Sequence, residues 1–398
     1  MSELSIPGIR LGVAQAGIKY TNRDDLTIIE IAEGSTTAAV FTQNAFRAAP
    51  VFVAERNNAA VDARYILINS GNANAGTGEP GMAACEQTCK ALAKATQTNP
   101  NQALPFSTGV IGEVLPTDKV ESALPAAISD LSAENWERAA RAIMTTDTVS
   151  KLRSKVICLE DGRSCQLVGM SKGSGMIQPN MATMLGFLAT DAAIPRDMLD
   201  GMLRTAVTVS FNRITVDGDT STNDAVTLTA TGQSDVSISP TDRTAALAFQ
   251  VALTELATEL AQDIVRDGEG ATKFVEITVS SAKSEAEADQ VARTVAHSPL
   301  VKTALFASDP NWGRILAAVG RAGVADLNVD TVSLSLNGVL IAEKGARAES
   351  YTEEAGVAAM APEDLLIRID LGRGDQSATL WTTDLSYDYV KINAEYRT

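Results

Sequence analysis

Apolar residues recur along this chain in short blocks separated by Gly, Pro, Asn and Asp. Residues 26–31 (Leu-Thr-Ile-Ile-Glu-Ile) and 37–42 (Thr-Ala-Ala-Val-Phe-Thr) read as strands joined through a glycine-containing turn. Residues 65–69 read as a buried strand that runs into a loop of small residues, 70–78. A helix follows from about 80 to 94, with Pro80 near its first turn. Residues 106–112 predict a strand end opening into a glycine-rich turn, and 117–129 and 134–144 predict helices. A hairpin pairs 155–160 with 165–170 around Asp161-Gly162, and 184–190 continues as a strand. Further on, helices are expected at 195–208, 241–265, 283–296 and 311–321. Strands are expected at 225–230, 273–279, 331–336, 338–342, 364–370, 377–382 and near 386–392, the last tying the C-terminus into the structure. No heptad or short repeat interrupts the mixture. The pattern predicts an α+β class with mostly antiparallel sheet.

Composition narrows the function. The chain has 398 residues, 45% of them apolar and 21% charged, enough for a large core and more than one lobe. A net charge of −16 argues against nucleic acid as a main partner, since phosphate binding needs clustered Lys and Arg. The N-terminus shows no secretory signal, and no stretch is apolar enough to span a bilayer, so neither membrane nor export is expected. Four sparse cysteines, Cys85, Cys89, Cys158 and Cys165, fit reduced thiols in a cytoplasm. Cys85 and Cys89 lie one helical turn apart with no second Cys or His pair nearby, so no zinc site is expected. His297 is the single histidine and reads as a structural or surface residue. With His297 read as structural, a Ser-His-Asp arrangement has no base, and one histidine cannot furnish a His-rich metal site.

A nucleophile without a histidine base points to a threonine activated by its own freed α-amine. Ala182–Thr183 lies in a run without charge from Gly173 to Thr190. Thr183 reads either as a buried strand threonine or as a nucleophile exposed by cleavage before it. Gly173 and Gly175 permit unusual backbone angles just upstream, and Pro179-Asn180 favours a turn. Thr108-Gly109, at a strand end, offers a hydroxyl and backbone N–H groups to an oxyanion, or is an ordinary strand-to-turn junction. The polar run 145–151 reads as a loop after a helix. The run 211–224 carries Asp217, Asp219, Asn223 and Asp224 but lacks EF-hand spacing, so an Asx-rich turn network is expected there. Glu269, between two glycines after a long helix, suits a substrate ammonium or is a solvated loop acid. Residues 308–314 place a polar turn before a helix. The glycine-rich stretch 71–81 lacks a phosphate-loop spacing, and Arg373-Gly374-Asp375 carries no inference.

Taken together, eight segments resemble the ornithine acetyltransferase family of arginine biosynthesis, also called glutamate N-acetyltransferase. They are Asn69-Ser-Gly-Asn-Ala-Asn-Ala75, Ser107-Thr-Gly-Val-Ile-Gly112, Met144-Thr-Thr-Asp-Thr148, Lys172-Gly-Ser-Gly-Met-Ile177, Pro179-Asn-Met-Ala-Thr-Met-Leu185, Thr215–Asp224, Asp309-Pro-Asn-Trp-Gly-Arg314 and Tyr389-Val-Lys-Ile-Asn-Ala394. The resemblance implies a layered α/β/β/α sandwich of the N-terminal-nucleophile type. It also implies self-cleavage between Ala182 and Thr183, giving an α chain of residues 1–182 and a β chain of residues 183–398, assembled as α2β2. It assigns Thr183 as nucleophile and Thr108 and Gly109 as the oxyanion hole. Thr146, Lys172, Thr183, Glu269, Asn393 and Thr398 become substrate-binding positions, with no cofactor and no metal. The implied activity moves acetyl from N2-acetylornithine to glutamate, releasing ornithine and N-acetylglutamate, and some members also accept acetyl-CoA. A hydrolase using water as acceptor and an uncut amino-acid-binding protein remain alternatives at this stage.

Overall fold

β-Branched and aliphatic runs do form the sheets, and their alternation decides which face each strand buries. The computed structural model describes residues 4–178 and 184–396. Residues 1–3, 179–183 and 397–398, which include Ala182, Thr183 and Thr398, lie outside the described residues. The chain divides into two compact units, one formed by 1–212 and 219–264, the other by 213–218 and 265–398.

The first unit holds strands β1 (Ile9–Ala14), β2 (Leu26–Ile31), β3 (Thr36–Phe41), β4 (Tyr65–Asn72), β5 (Ala103–Val110), β6 (Lys151–Cys158), β7 (Ser164–Lys172), β8 (Leu185–Thr190) and β9 (Ala225–Ala230). Its helices are α1 (Ala49–Ala60), α2 (Gly78–Thr96), α3 (Thr117–Ser129), α4 (Trp136–Ala142), α5 (Arg196–Val209) and α6 (Arg243–Arg266), the last reaching into the second unit. One sheet runs β1-β2-β4-β5 and the other β3-β9-β8-β7-β6. Their facing sides share one core in which Ile66, Ile68, Leu104 and Phe106 meet Val168, Met170, Leu185 and Phe187. Phe106 and Phe187 stack edge to face, 5.2 Å between centroids. The outer face of the first sheet packs Leu26, Ile28 and Leu67 against Cys85, Cys89, Leu92, Val120 and Leu124 of α2 and α3. On the second sheet, Gly169 leaves room for Leu256 and Leu260 of α6, where a Cβ would come within 2.8 Å. This is the expected α/β/β/α sandwich. The predicted hairpin is β6–β7, longer than expected because Lys151↔Ser171 through Cys158↔Ser164 all pair. Its turn needs Gly162 at φ +86°.

The second unit carries β10 (Phe274–Ala282), β11 (Ser333–Leu336), β12 (Val339–Glu343), β13 (Ala346–Arg347), β14 (Asp364–Asp370) and β15 (Gln376–Thr383) in the order β13-β12-β11-β14-β10-β15. Helices α7 (Glu285–Ala296), α8 (Pro299–Phe306), α9 (Trp312–Gly320) and α10 (Glu353–Met360) pack their buried alanines and valines onto it. The strand expected near 386–392 is instead helix α11 (Tyr387–Ala394). Ser386 explains the difference: its Oγ accepts the Tyr389 backbone N–H and caps a helix start. The apolar residues Tyr387 and Val390 lie three apart on an exposed surface, so alternation misread a helical spacing. Sheet pairing is mostly antiparallel, with parallel neighbours at β4–β5, β8–β9 and β10–β14. Among the described residues, no helix is long and apolar enough to cross a membrane.

Candidate active site

Two strand ends of the first unit carry part of the predicted chemistry, Thr108-Gly109 on β5 and Lys172 on β7. In the first unit, Thr108 and Gly109 lie at the end of β5, just before the turn, as expected, and beside a bulge in β4 at Gly71–Asn72. Gly109 has φ +132°, and a Cβ there would collide with the Gly71–Asn72 peptide. Only glycine lets the two parallel backbones approach this closely. Thr108 is buried, and among the described residues its hydroxyl makes no hydrogen bond.

Buried amides fix this strand end. Asn223 donates to Ser107 O at 2.9 Å and to Ala73 O at 2.6 Å, and Thr222 Oγ1 donates to Asn223 Oδ1 at 2.6 Å. Ser107 Oγ donates to Asn69 Oδ1 at 2.6 Å, and Asn69 Nδ2 donates to Asn72 O at 2.8 Å. Asn223 therefore orients the peptide that carries the Thr108 N–H. The Asx-rich run was expected to form a turn network; its Asn223 reaches further and braces β5. Neighbouring Asp224 is buried, and among the described residues its Oδ2 has no hydrogen-bond partner. Burial pushes its carboxyl well above the usual range, against the pull of Ser221 and of the Lys172 charge.

Lys172 ends β7, opposite Leu185 at the start of β8. Its ammonium lies 4.0 Å from Asp147 Oδ2. Asp147 also pairs with Lys151 at 2.7 Å, both side chains shielded from water, and accepts the backbone N–H of Gly173 (2.7 Å) and Thr145 (3.0 Å). Burial alone would raise the Asp147 carboxyl. The charges of Lys172 and Lys151, with the hydrogen bonds from Lys151 and Thr145, override it and hold the group well below the usual carboxylate range. Thr146 sits next to this acid, its Oγ1 2.8 Å from Ser174 Oγ. The loop 145–151 is thus more than a connection: it supplies the counter-ion that sets Lys172 in place. Its sequence signal, an acid four residues before a lysine, was too common to single out.

In the second unit, Glu269 is 8% exposed, which removes the solvated-acid reading. Its Oε2 accepts Asn393 Nδ2 of α11 at 2.7 Å, and among the described residues no lysine or arginine pairs with it. Thr183 and Thr398 lie outside the described residues. The structure thus joins Thr146 to Lys172 through the Asp147 loop, and Glu269 to Asn393. A buried carboxylate with only a neutral partner can receive a cation, and a lysine-rich cluster can receive a carboxylate. His297 is half-buried; burial, then the charges of Arg293 and Lys302, lower it to about 4.

The ArgJ family model matches residues 10–398. The arginine biosynthesis bifunctional protein ArgJ of Pseudomonas syringae pv. tomato is 55% identical over 394 residues, 99% of this chain and 97% of that protein. The protein of the same name from Pseudomonas fluorescens is 56% identical over 396 residues, again 99% and 97%. Among solved structures, an arginine biosynthesis bifunctional protein argJ from Bacillus halodurans is 38% identical, with TM-score 0.49, over 51% of this chain and 95% of that one. An ornithine acetyltransferase from Mycobacterium tuberculosis, complexed with ornithine, is 32% identical, with TM-score 0.41, over 46% and 98%. This chain belongs to the ArgJ family.

Proposed function

We propose that this ornithine acetyltransferase of arginine biosynthesis works by a two-step, ping-pong transfer through Thr183, exposed by self-cleavage after Ala182. Thr183 Oγ attacks the acetyl carbonyl of N2-acetylornithine, and its freed α-amine takes the hydroxyl proton. Thr108 and the backbone at Gly109 donate to the oxyanion of the tetrahedral intermediate. That intermediate collapses with proton transfer to the departing ornithine nitrogen, leaving acetyl-Thr183. Glutamate then attacks through its unprotonated α-amine, forming N-acetylglutamate and regenerating the hydroxyl.

Lys172 receives a substrate carboxylate, aided by Thr146. Glu269, held by Asn393, receives the side-chain ammonium of ornithine, and Thr398 completes the set. The observation that carries this reading is the family match, which spans every residue it invokes. Among the described residues the Thr108 hydroxyl has no partner and the Glu269 carboxylate no counter-charge, which supports the roles given to them.

Acetyl-CoA is a second donor in this proposal, supported by the word bifunctional in the relatives' names. The cut chain assembles as α2β2 and works in the cytoplasm. The test offers glutamate with N2-acetylornithine or with acetyl-CoA and follows N-acetylglutamate. Both donors should support it; acetate release independent of glutamate would make the protein a hydrolase instead.

A further inference from the structure

Lys302 is the least expected charge in the second unit. It lies on α8, is fully buried, and among the described residues forms no ion pair. Its ammonium donates only to neutral acceptors: Thr383 O at 2.5 Å, Thr382 Oγ1 at 3.1 Å and Thr383 Oγ1 at 3.3 Å. Its carbonyl accepts the Leu385 N–H at 3.2 Å. Lys302 therefore grips the segment 382–385 at two points. Burial depresses its pKa to about 8, while the more distant charges of Asp384 and Asp217 oppose the shift and half-buried His297 stands near. A buried ammonium is costly, and an apolar side chain of similar volume would relieve that cost.

The gripped segment leads directly to Glu269. Asp384 Oδ1 accepts the backbone N–H groups of Thr272 (2.9 Å) and Lys273 (3.0 Å), and its Oδ2 accepts Thr272 Oγ1 at 2.6 Å. Gly268 lies against the Thr383 methyl, and Gly270 against Ser386 Oγ and the Tyr389 N–H, where any Cβ would come within 2.9 Å and 2.5 Å respectively. The loop 268–272 thus rests on a shelf made by 383–389, and Glu269 projects from the middle of that loop.

We propose that Lys302 is a positioning residue for Glu269, acting through Thr383 and Asp384 to set the carboxylate that receives the substrate ammonium. This rests on the reading of Glu269 given above. A buried ammonium that meets no counter-charge among the described residues is accounted for by what it aligns.

The test is Lys302→Met in the full-length enzyme, read by thermal unfolding and by kcat/KM for each substrate separately. In a ping-pong scheme each kcat/KM reports its own half-reaction. The expected result is a Tm unchanged or raised, kcat/KM for N2-acetylornithine down at least tenfold, and kcat/KM for glutamate, which has no side-chain ammonium, within threefold. A lowered Tm with both values falling together would mark Lys302 as merely structural and overturn the proposal, as would no change in either. Should Lys302→Met not fold, Asp384→Ala breaks the next link and must lower the acetylornithine value selectively; an unchanged value sinks the proposal. Glu269→Gln separates the two levels. If it leaves kcat/KM for acetylornithine unchanged, the role of Glu269 fails, whatever Lys302→Met does.

Discussion

The two units treat a buried carboxylate in opposite ways. In the first, Asp147 is overcompensated: two lysines and two backbone N–H groups converge on it. In the second, Glu269 meets one neutral amide. The difference separates a structural acid from a receptive one. Asp147 spends its charge inside the protein, on Lys151, Lys172 and two backbone N–H groups. Under the proposed function, Glu269 keeps its charge for a cation that arrives with the substrate.

Mutations should break this contrast in graded fashion. The largest effect belongs to the proposed nucleophile. Thr183→Ala should stop cleavage, leave one band on a denaturing gel, and lower kcat on the order of 10⁴- to 10⁶-fold. Next, Asp147→Asn removes the carboxylate charge that Lys151 and Lys172 share in a buried cluster. It should cost about 3–5 kcal/mol, read as a lowered denaturant midpoint. The same Asp147 makes stability acid-sensitive: its folded pKa lies below the ordinary 3.8, so the stabilisation is present above 3.8 and is lost as pH falls further.

Thr108→Val keeps the shape of the side chain and removes the hydroxyl. It should lower kcat about 10²- to 10³-fold with little change in Tm, measured by steady-state kinetics beside a melting curve. A Tm loss without a kcat loss would make Thr108 an ordinary strand residue.

Much of this was legible in the residues. The sheets follow the apolar blocks, and the ordered segments from Asn69 to Ala394 marked the family. What escaped was set by neighbours distant in sequence. Asp147 and Lys151 looked like a polar loop, because their meaning comes from Lys172 at the end of β7. Asn223 looked like part of a local turn, and its bracing of Ser107 is visible only once β5 is in place. The C-terminal helix was misread because a single cap at Ser386 outweighed a weak apolar alternation.

The smallest effect contrasts a bystander with both acids. His297 has a folded pKa of about 4 against an ordinary 6.5, so the unfolded chain binds a proton that the folded one does not between those values. Stability therefore falls as pH drops from about 6.5 toward 4, and His297→Asn should flatten that part of a Tm-against-pH curve without altering kcat near pH 7.

The central claim is that Thr183 is both the new N-terminus and the acetyl carrier. Intact mass of the purified protein, before and after N2-acetylornithine without glutamate, tests it directly. The account predicts two fragments ending and beginning at 182/183, the second gaining one acetyl group and losing it again when glutamate is added. A single 41.8 kDa chain, or a second fragment whose mass never changes, would contradict it.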